Sequence, residues 1–202
     1  MNWTSAALAA LIRAEAVRQG VEPMSALHVA AVESGFRNVI GDKGRMQTKA
    51  KQLAARGVIS PANKWLDDKS AWSSYGPMQL SAVWYTRGTE DPTRFADPRI
   101  SVPVAVRVWK KRLQQSGANP MRPTPGEQLE ARIRYVCGSL SCSDAKKAII
   151  TRRWAEPWKL PKAPGALAQP PTPTTRPSSQ TDWGNFVWLL VPVLALFLVK
   201  RR

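Results

Sequence analysis

"SALHVAAVESGF", residues 25–36, is apolar along most of its length and carries one carboxylate, Glu33, immediately before Ser34-Gly35. Pro23, just upstream, suits the first turn of a helix, where its missing N–H would have been unpaired in any case. Gly35 lets the chain turn away after the last residue. The segment reads as a helix over 23–34 with Glu33 in its final turn. On that helix Glu33 shares a face with Val29 and Ala30. A carboxyl packed among apolar groups prefers its neutral form, and a neutral acid can give its proton to a leaving oxygen. Alone, the segment admits two readings: a solvated residue at a frayed helix end, or a working acid that borders a cleft.

A second stretch, "SSYGPMQLSAVWY" at residues 73–85, bears on that choice. Ser74-Tyr75-Gly76-Pro77 is a turn signal, and Pro77 is placed to open a helix over 77–87. The Gln79 amide both donates and accepts, as a sugar or N-acetyl group requires, and Met78 offers a soft apolar wall.

Together "AAVESGF" (30–36) and "SSYGPMQL" (73–80) resemble the lytic transglycosylase family, in its soluble-type catalytic domain with a lysozyme-like fold. That family carries a Glu-Ser-x-Phe segment at a helix end, then a Ser-containing loop and a Gly-x-Met-Gln motif. "DPRISVPVAVRVWKKRL" (97–113) resembles its Asp-Pro-initiated helix, and "IRYVCGS" (133–139) its Tyr-Asn-x-Gly segment, with Val136 where the family has Asn. The order matches, over roughly residues 5–155. The resemblance implies that Glu33 is the single catalytic acid and base. Ser74 and Gln79 would border the sugar site, with Met78 shaping its wall. Tyr135 would sit close to Glu33 and orient it or the substrate, and Ser34 would be structural. The implied substrate is the glycan strand of peptidoglycan. Glu33 protonates the bridging oxygen between N-acetylmuramic acid and N-acetylglucosamine. Once ionised, it deprotonates the sugar's own 6-hydroxyl, which closes onto C1 as a 1,6-anhydro end. No cofactor or metal enters this scheme.

The wider composition sets the context. The chain has 202 residues, a net charge of +16 and nine Trp. Such a charge attracts polyanions: the acidic cell wall, anionic lipid surfaces or nucleic acid. Residues 42–70 are rich in Lys and Arg and longer than the family needs; they read as an added helical hairpin over the cleft or as a solvated basic face. Cys137 and Cys142, in "CGSLSC", lack a second pair and a nearby His, which argues against zinc. They are either a short disulfide, formed in an oxidising compartment, or two free thiols. His28, the one His, lies five residues before Glu33 and points away from it on a helix.

Three zones follow. Residues 1–160 read as a mainly α, lysozyme-like domain with helices over 5–19, 23–34, 46–56, 77–87, 101–116, 127–138 and 144–154. Thr4 or Ser5 caps the first, and Gly20 ends it. The first zone opens with an amphipathic helix and not with a secretory signal, because Arg13 and Glu15 interrupt its apolar run. Residues 161–182 are a linker rich in Pro, Thr and Ser, which lacks the apolar bulk for a core. Residues 183–199, "WGNFVWLLVPVLALFLV", with Lys200-Arg201-Arg202 behind them, read as a single transmembrane anchor. The basic tail places the C-terminus in the cytoplasm and the catalytic domain on the periplasmic side. Two routes reconcile that topology with the missing signal: delivery from a virus particle, from an internal membrane or into the host envelope, or an unusual export route, as for a bacterial wall-opening enzyme of secretion or conjugation. The readings that compete with a transglycosylase are a hydrolytic, lysozyme-type muramidase and a basic, membrane-tethered nucleic-acid-binding or genome-delivery protein. The last does not account for the ordered motifs, so nucleic acid ranks behind the glycan as a partner.

Overall fold

The structure, a computed structural model, describes residues 3–42, 44–138 and 140–162. They form a mainly helical unit, with α1 at Ser5–Gln19, α2 at Pro23–Ser34, α3 at Gln47–Ala55, α4 at Pro98–Gln115, α5 at Pro125–Cys137 and α6 at Asp144–Ala155. Three two-residue strands, β1 (Ile40–Gly41), β2 (Ser74–Tyr75) and β3 (Leu80–Ser81), pair antiparallel in that order.

Local chemistry sets most helix ends. The Thr4 hydroxyl accepts from the Ala7 N–H, and Gly20 closes α1 in the left-handed region. The Glu22 carboxylate caps α2 from outside, accepting from the N–H groups of Met24 and Ser25, and Pro23 fills the first turn. Asp97 and Pro98 open α4, so that helix begins three residues before its expected start at 101. Thr124 and Glu127 form a reciprocal capping box that starts α5 at Pro125, ahead of the expected 127. In both cases the cap lies outside the apolar periodicity from which a start is read.

The main core lies among α1, α2, α4 and α5. Ile12, Leu27, Val29, Val106, Trp109 and Leu113 are fully buried there. Each such side chain contributes about 1.5–3 kcal/mol relative to exposure. Burial of this kind, and not a ladder of three two-residue strands, sustains the fold. The Trp109 indole N–H donates to the Ser25 hydroxyl at 3.1 Å, so its one polar atom is satisfied inside the core. A second, smaller cluster gathers Ala50 and Ala54 of α3 with Ile59, Ala71, Trp72 and Val83. The Trp72 indole N–H is satisfied by the Trp65 carbonyl at 2.8 Å.

Three expectations need correction or an answer. Residues 77–87 are not a helix. Gly76 (φ 76°) and Gln79 (φ 51°) both sit in the left-handed region, and the Gln79 N–H returns to the Gly76 carbonyl. Pro77 therefore serves the second position of a tight turn between β2 and β3. Only Ala82–Trp84 then makes one 3-10 turn. Residues 42–70 are not a helical hairpin: they give the single helix α3, and then an irregular run whose turns fold back on it, with Gln47 donating to the Leu66 carbonyl at 3.0 Å. The two cysteines are joined as a disulfide, Cys137–Cys142, with Cα atoms 5.9 Å apart. It ties the end of α5 to the approach of α6. Residues 163–182 of the Pro-rich stretch and the apolar run 183–199 lie outside the described residues. Among the described ones, no helix is long and apolar enough to cross a membrane.

Candidate active site

Glu33 occupies the last turn of α2, next to Ser34, and Gly35 (φ 61°) turns the chain away behind them. Ser34 is buried and does structural work. Its hydroxyl donates to the Pro77 carbonyl at 2.8 Å, which locks the end of α2 to the turn between β2 and β3. The same turn is gripped from the other side by α5, where the Tyr135 hydroxyl donates to the Met78 carbonyl at 2.9 Å. Two hydrogen bonds thus bring the three segments singled out in the sequence into one place, across separations of 43 and 57 residues.

Each residue proposed from sequence has a definite setting. Tyr135 lies near Glu33, as expected: burial first, and the Glu33 charge second, push its hydroxyl well above the usual range. It stays protonated and serves as a donor to Met78. Met78 itself is buried in the main core, with 1% of its surface exposed. Its side chain is a packing element, and its carbonyl is the part that faces Tyr135. Ser74 is buried within β2, opposite Gly41 and Ser81. Gln79 is half-buried, and its amide N–H groups go to the carbonyls of Val39 (3.1 Å) and Gly76 (2.9 Å). A side chain at Gly41 would collide with the Gln79 amide oxygen, so the missing Cβ there makes room for this amide. The structure thus gives Gln79 a turn-holding role, with its oxygen as the atom left over.

Glu33 is not in a purely apolar pocket, which corrects the expectation drawn from α2. Arg132, on α5, places Nη1 2.5 Å from Glu33 Oε1. The Arg132 side chain is 5% exposed and the Glu33 side chain 20%, so the cation is buried and the carboxylate reaches the surface. The guanidinium also lies 5.9 Å from the ring centres of Tyr135 and Trp154, within range of both π faces. Trp154 comes from α6 and stacks on His28 of α2 with ring centres 3.6 Å apart. Burial pushes His28 down to about 4, with the Arg132 charge adding to the effect, so the ring is neutral near neutral pH. His28 thus packs against Trp154 and Trp158 of the C-terminal part of the domain.

Arg132 and the Trp154–His28 stack are the parts that sequence reasoning missed. The available signal was slight: Arg132 is three residues before Tyr135 and so shares its helical face. Nothing in the sequence separates it from the other basic residues.

A second catalytic carboxylate, as a hydrolytic muramidase needs, could come in principle from Asp42, Asp67 or Asp68 of the basic stretch 42–70, and each of these has another partner. Asp67 pairs with Lys51 and is 91% exposed, Asp42 pairs with Arg45, and Asp68 caps the 3-10 turn at Lys69–Ala71. Two surface cavities do not include Glu33 in their lining. One of about 180 Å³ is lined by Ala31, Val32, Arg153, Glu156, Pro157 and Trp158. The other, about 530 Å³, lies between α3 and residues 61–67. Comparison of the chain with protein-family models, with curated proteins and with solved structures finds no match.

Proposed function

We propose that this is an enzyme that cleaves glycosidic bonds with Glu33 as its acid and base. More narrowly, it is a peptidoglycan lytic transglycosylase that cuts between N-acetylmuramic acid and N-acetylglucosamine and leaves a 1,6-anhydro end. The observation that carries this reading is the junction at Glu33. A partly exposed carboxylate, paired with Arg132, stands at a helix end that the Ser34 hydroxyl ties to the Pro77 carbonyl of the Gly76–Gln79 turn, while the Tyr135 hydroxyl holds the Met78 carbonyl of the same turn. Those segments appear in the same order as in the family that the sequence resembles.

The proposed cycle uses one carboxylate twice. Glu33 gives its proton to the bridging oxygen as the C1–O bond breaks, and the substrate's N-acetyl group stabilises the oxocarbenium-like centre. Glu33, now ionised and next to Arg132, takes the proton of the sugar's 6-hydroxyl as that oxygen closes onto C1. The proton given in the first step is thus recovered in the second, and no water is consumed. Two-carboxylate hydrolysis requires a second acid across the bond. The engagement of Asp42, Asp67 and Asp68 elsewhere favours the single-carboxylate route. Residues 183–199 would anchor the enzyme in a membrane, with a Pro-rich tether that lets the domain reach the wall. Local wall opening during virus entry is the role that fits this arrangement.

The test is digestion of purified peptidoglycan, with products read by mass spectrometry. Wild type should release muropeptides one water lighter than the hydrolysed forms. Glu33→Gln should lower the rate at least about 100-fold, the lower range for loss of a positioned acid. Products at the full hydrated mass would instead identify a muramidase. Clearing by Glu33→Gln at the wild-type rate would remove both enzymatic readings.

A further inference from the structure

We infer that Arg132 is a positioning residue for catalysis: it holds Glu33 and compensates the negative charge that appears on it when its proton is given up. The inference rests on the reading of Glu33 as the acid and base.

The geometry gives the grounds. Arg132 is buried in a mainly helical core, and among the described residues its only ion pair is with Glu33. Its Nε has no partner among the described residues. A buried, incompletely satisfied guanidinium is costly to desolvate, and a pair of apolar side chains in place of both ionic partners fills such a site more cheaply. Its charge is directed at one atom, Glu33 Oε1, at 2.5 Å. The other charged and titratable groups around this pair do not replace it. Tyr135 is held protonated by burial, and Tyr85 and Arg112 act on it only through their fields. His28, facing Arg132 from α2, is neutral above about pH 4. From α6 the neighbour is the Trp154 ring.

The consequence concerns timing. During proton donation, negative charge develops on the Glu33 carboxyl, and a fixed cation there stabilises the transition state without having to reorganise. The same contact fixes the orientation of the carboxylate, which must then accept the 6-hydroxyl proton. A planar, forked guanidinium does both, whereas the ammonium of Lys supplies the charge without the fixed geometry.

The test measures initial rates of the 202-residue chain on soluble glycan strands as a function of glycan concentration. Wild type, Arg132→Gln, Arg132→Lys and Glu33→Gln are compared, with folding followed by circular dichroism. Arg132→Gln should lower kcat about tenfold or more while KM stays within about twofold. Arg132→Lys should recover part of that kcat. If Glu33→Gln is inactive but Arg132→Gln keeps the wild-type kcat, the inference falls and the assignment of Glu33 stands. If Glu33→Gln digests at the wild-type rate, both fall. Should Arg132→Gln not fold, Arg132→Lys decides: kcat lowered with KM unchanged supports the role, and wild-type kcat overturns it.

Discussion

The Glu33–Arg132 pair and the Lys51–Asp67 pair have similar lengths, 2.5 and 2.9 Å, and different settings. The first sits where α2, α5 and α6 meet, with its cation 5% exposed and roofed by aromatic rings. The second joins α3 to the irregular run behind it, with side chains 53% and 91% exposed. In water each charge of the second pair is solvated whether or not it has a partner, so the contact adds little. Around Glu33, removal of one partner strands the other in a poorly solvated place. Distance is thus a weak guide to what an ion pair does; the surroundings decide. The net charge of +16 belongs mostly to the Lys51 kind. A basic surface accounts for attraction to a polyanion, and one buried Arg accounts for an aimed field.

The contrast can be broken by experiment. The largest effect is expected from Arg132→Met, which fills the space but leaves Glu33 without its cation. Because Glu33 keeps some contact with solvent, the loss should fall at the low end for a broken buried pair, about 3 kcal/mol in urea unfolding. A value near zero would place this pair in the same class as Lys51–Asp67.

Next comes the pH dependence of the Glu33 region through His28. Its folded value of about 4 lies below its ordinary 6.5, so between these values the unfolded chain binds more protons. The stability from the neutral, stacked ring is fully present above pH 6.5 and is lost as the pH falls towards 4. With a discount for the partial exposure of the ring, this window is worth about 2 kcal/mol. His28→Phe should flatten it in a series of melts. A wild-type melt that does not change across that window would show that the His28–Trp154 stack is open to water.

The smallest effect belongs to the exposed pair. Lys51→Met should leave Tm within about 2 °C and digestion of glycan unchanged. A larger drop would mean that the run after α3 depends on this contact and not on the cluster around Trp72.

The legibility of the two regions differs in the same way. Around Glu33, the helix over 23–34, its proline start and its glycine stop were readable, because each depends on residues within a turn of one another. The turn expected at 74–77 lies two residues later, at Gly76–Gln79, behind strand β2. The proximity of Tyr135 to Glu33 was implied by the resemblance, and in the fold the Glu33 charge acts on the Tyr135 hydroxyl. The helix expected over 77–87 failed because "PMQLSAVWY" has a helical composition, while Gly76 and Gln79 take left-handed conformations that composition does not record. The hairpin expected over 42–70 failed because its second half packs on α3 through scattered residues, such as Ile59, without a repeat to read.

By itself the sequence determined the mainly helical class, all six helices of the described residues to within three residues at either end, and Glu33 as the candidate acid. Caps, periodicity and short motifs are local, and local energies are written in neighbouring letters. Tertiary structure alone decided that Arg132, 99 residues away, is the partner of Glu33. It also decided that Met78 is core and that Cys137 and Cys142 are joined. A charge acquires its role from what is withdrawn from water around it, and that depends on the packing of distant helices.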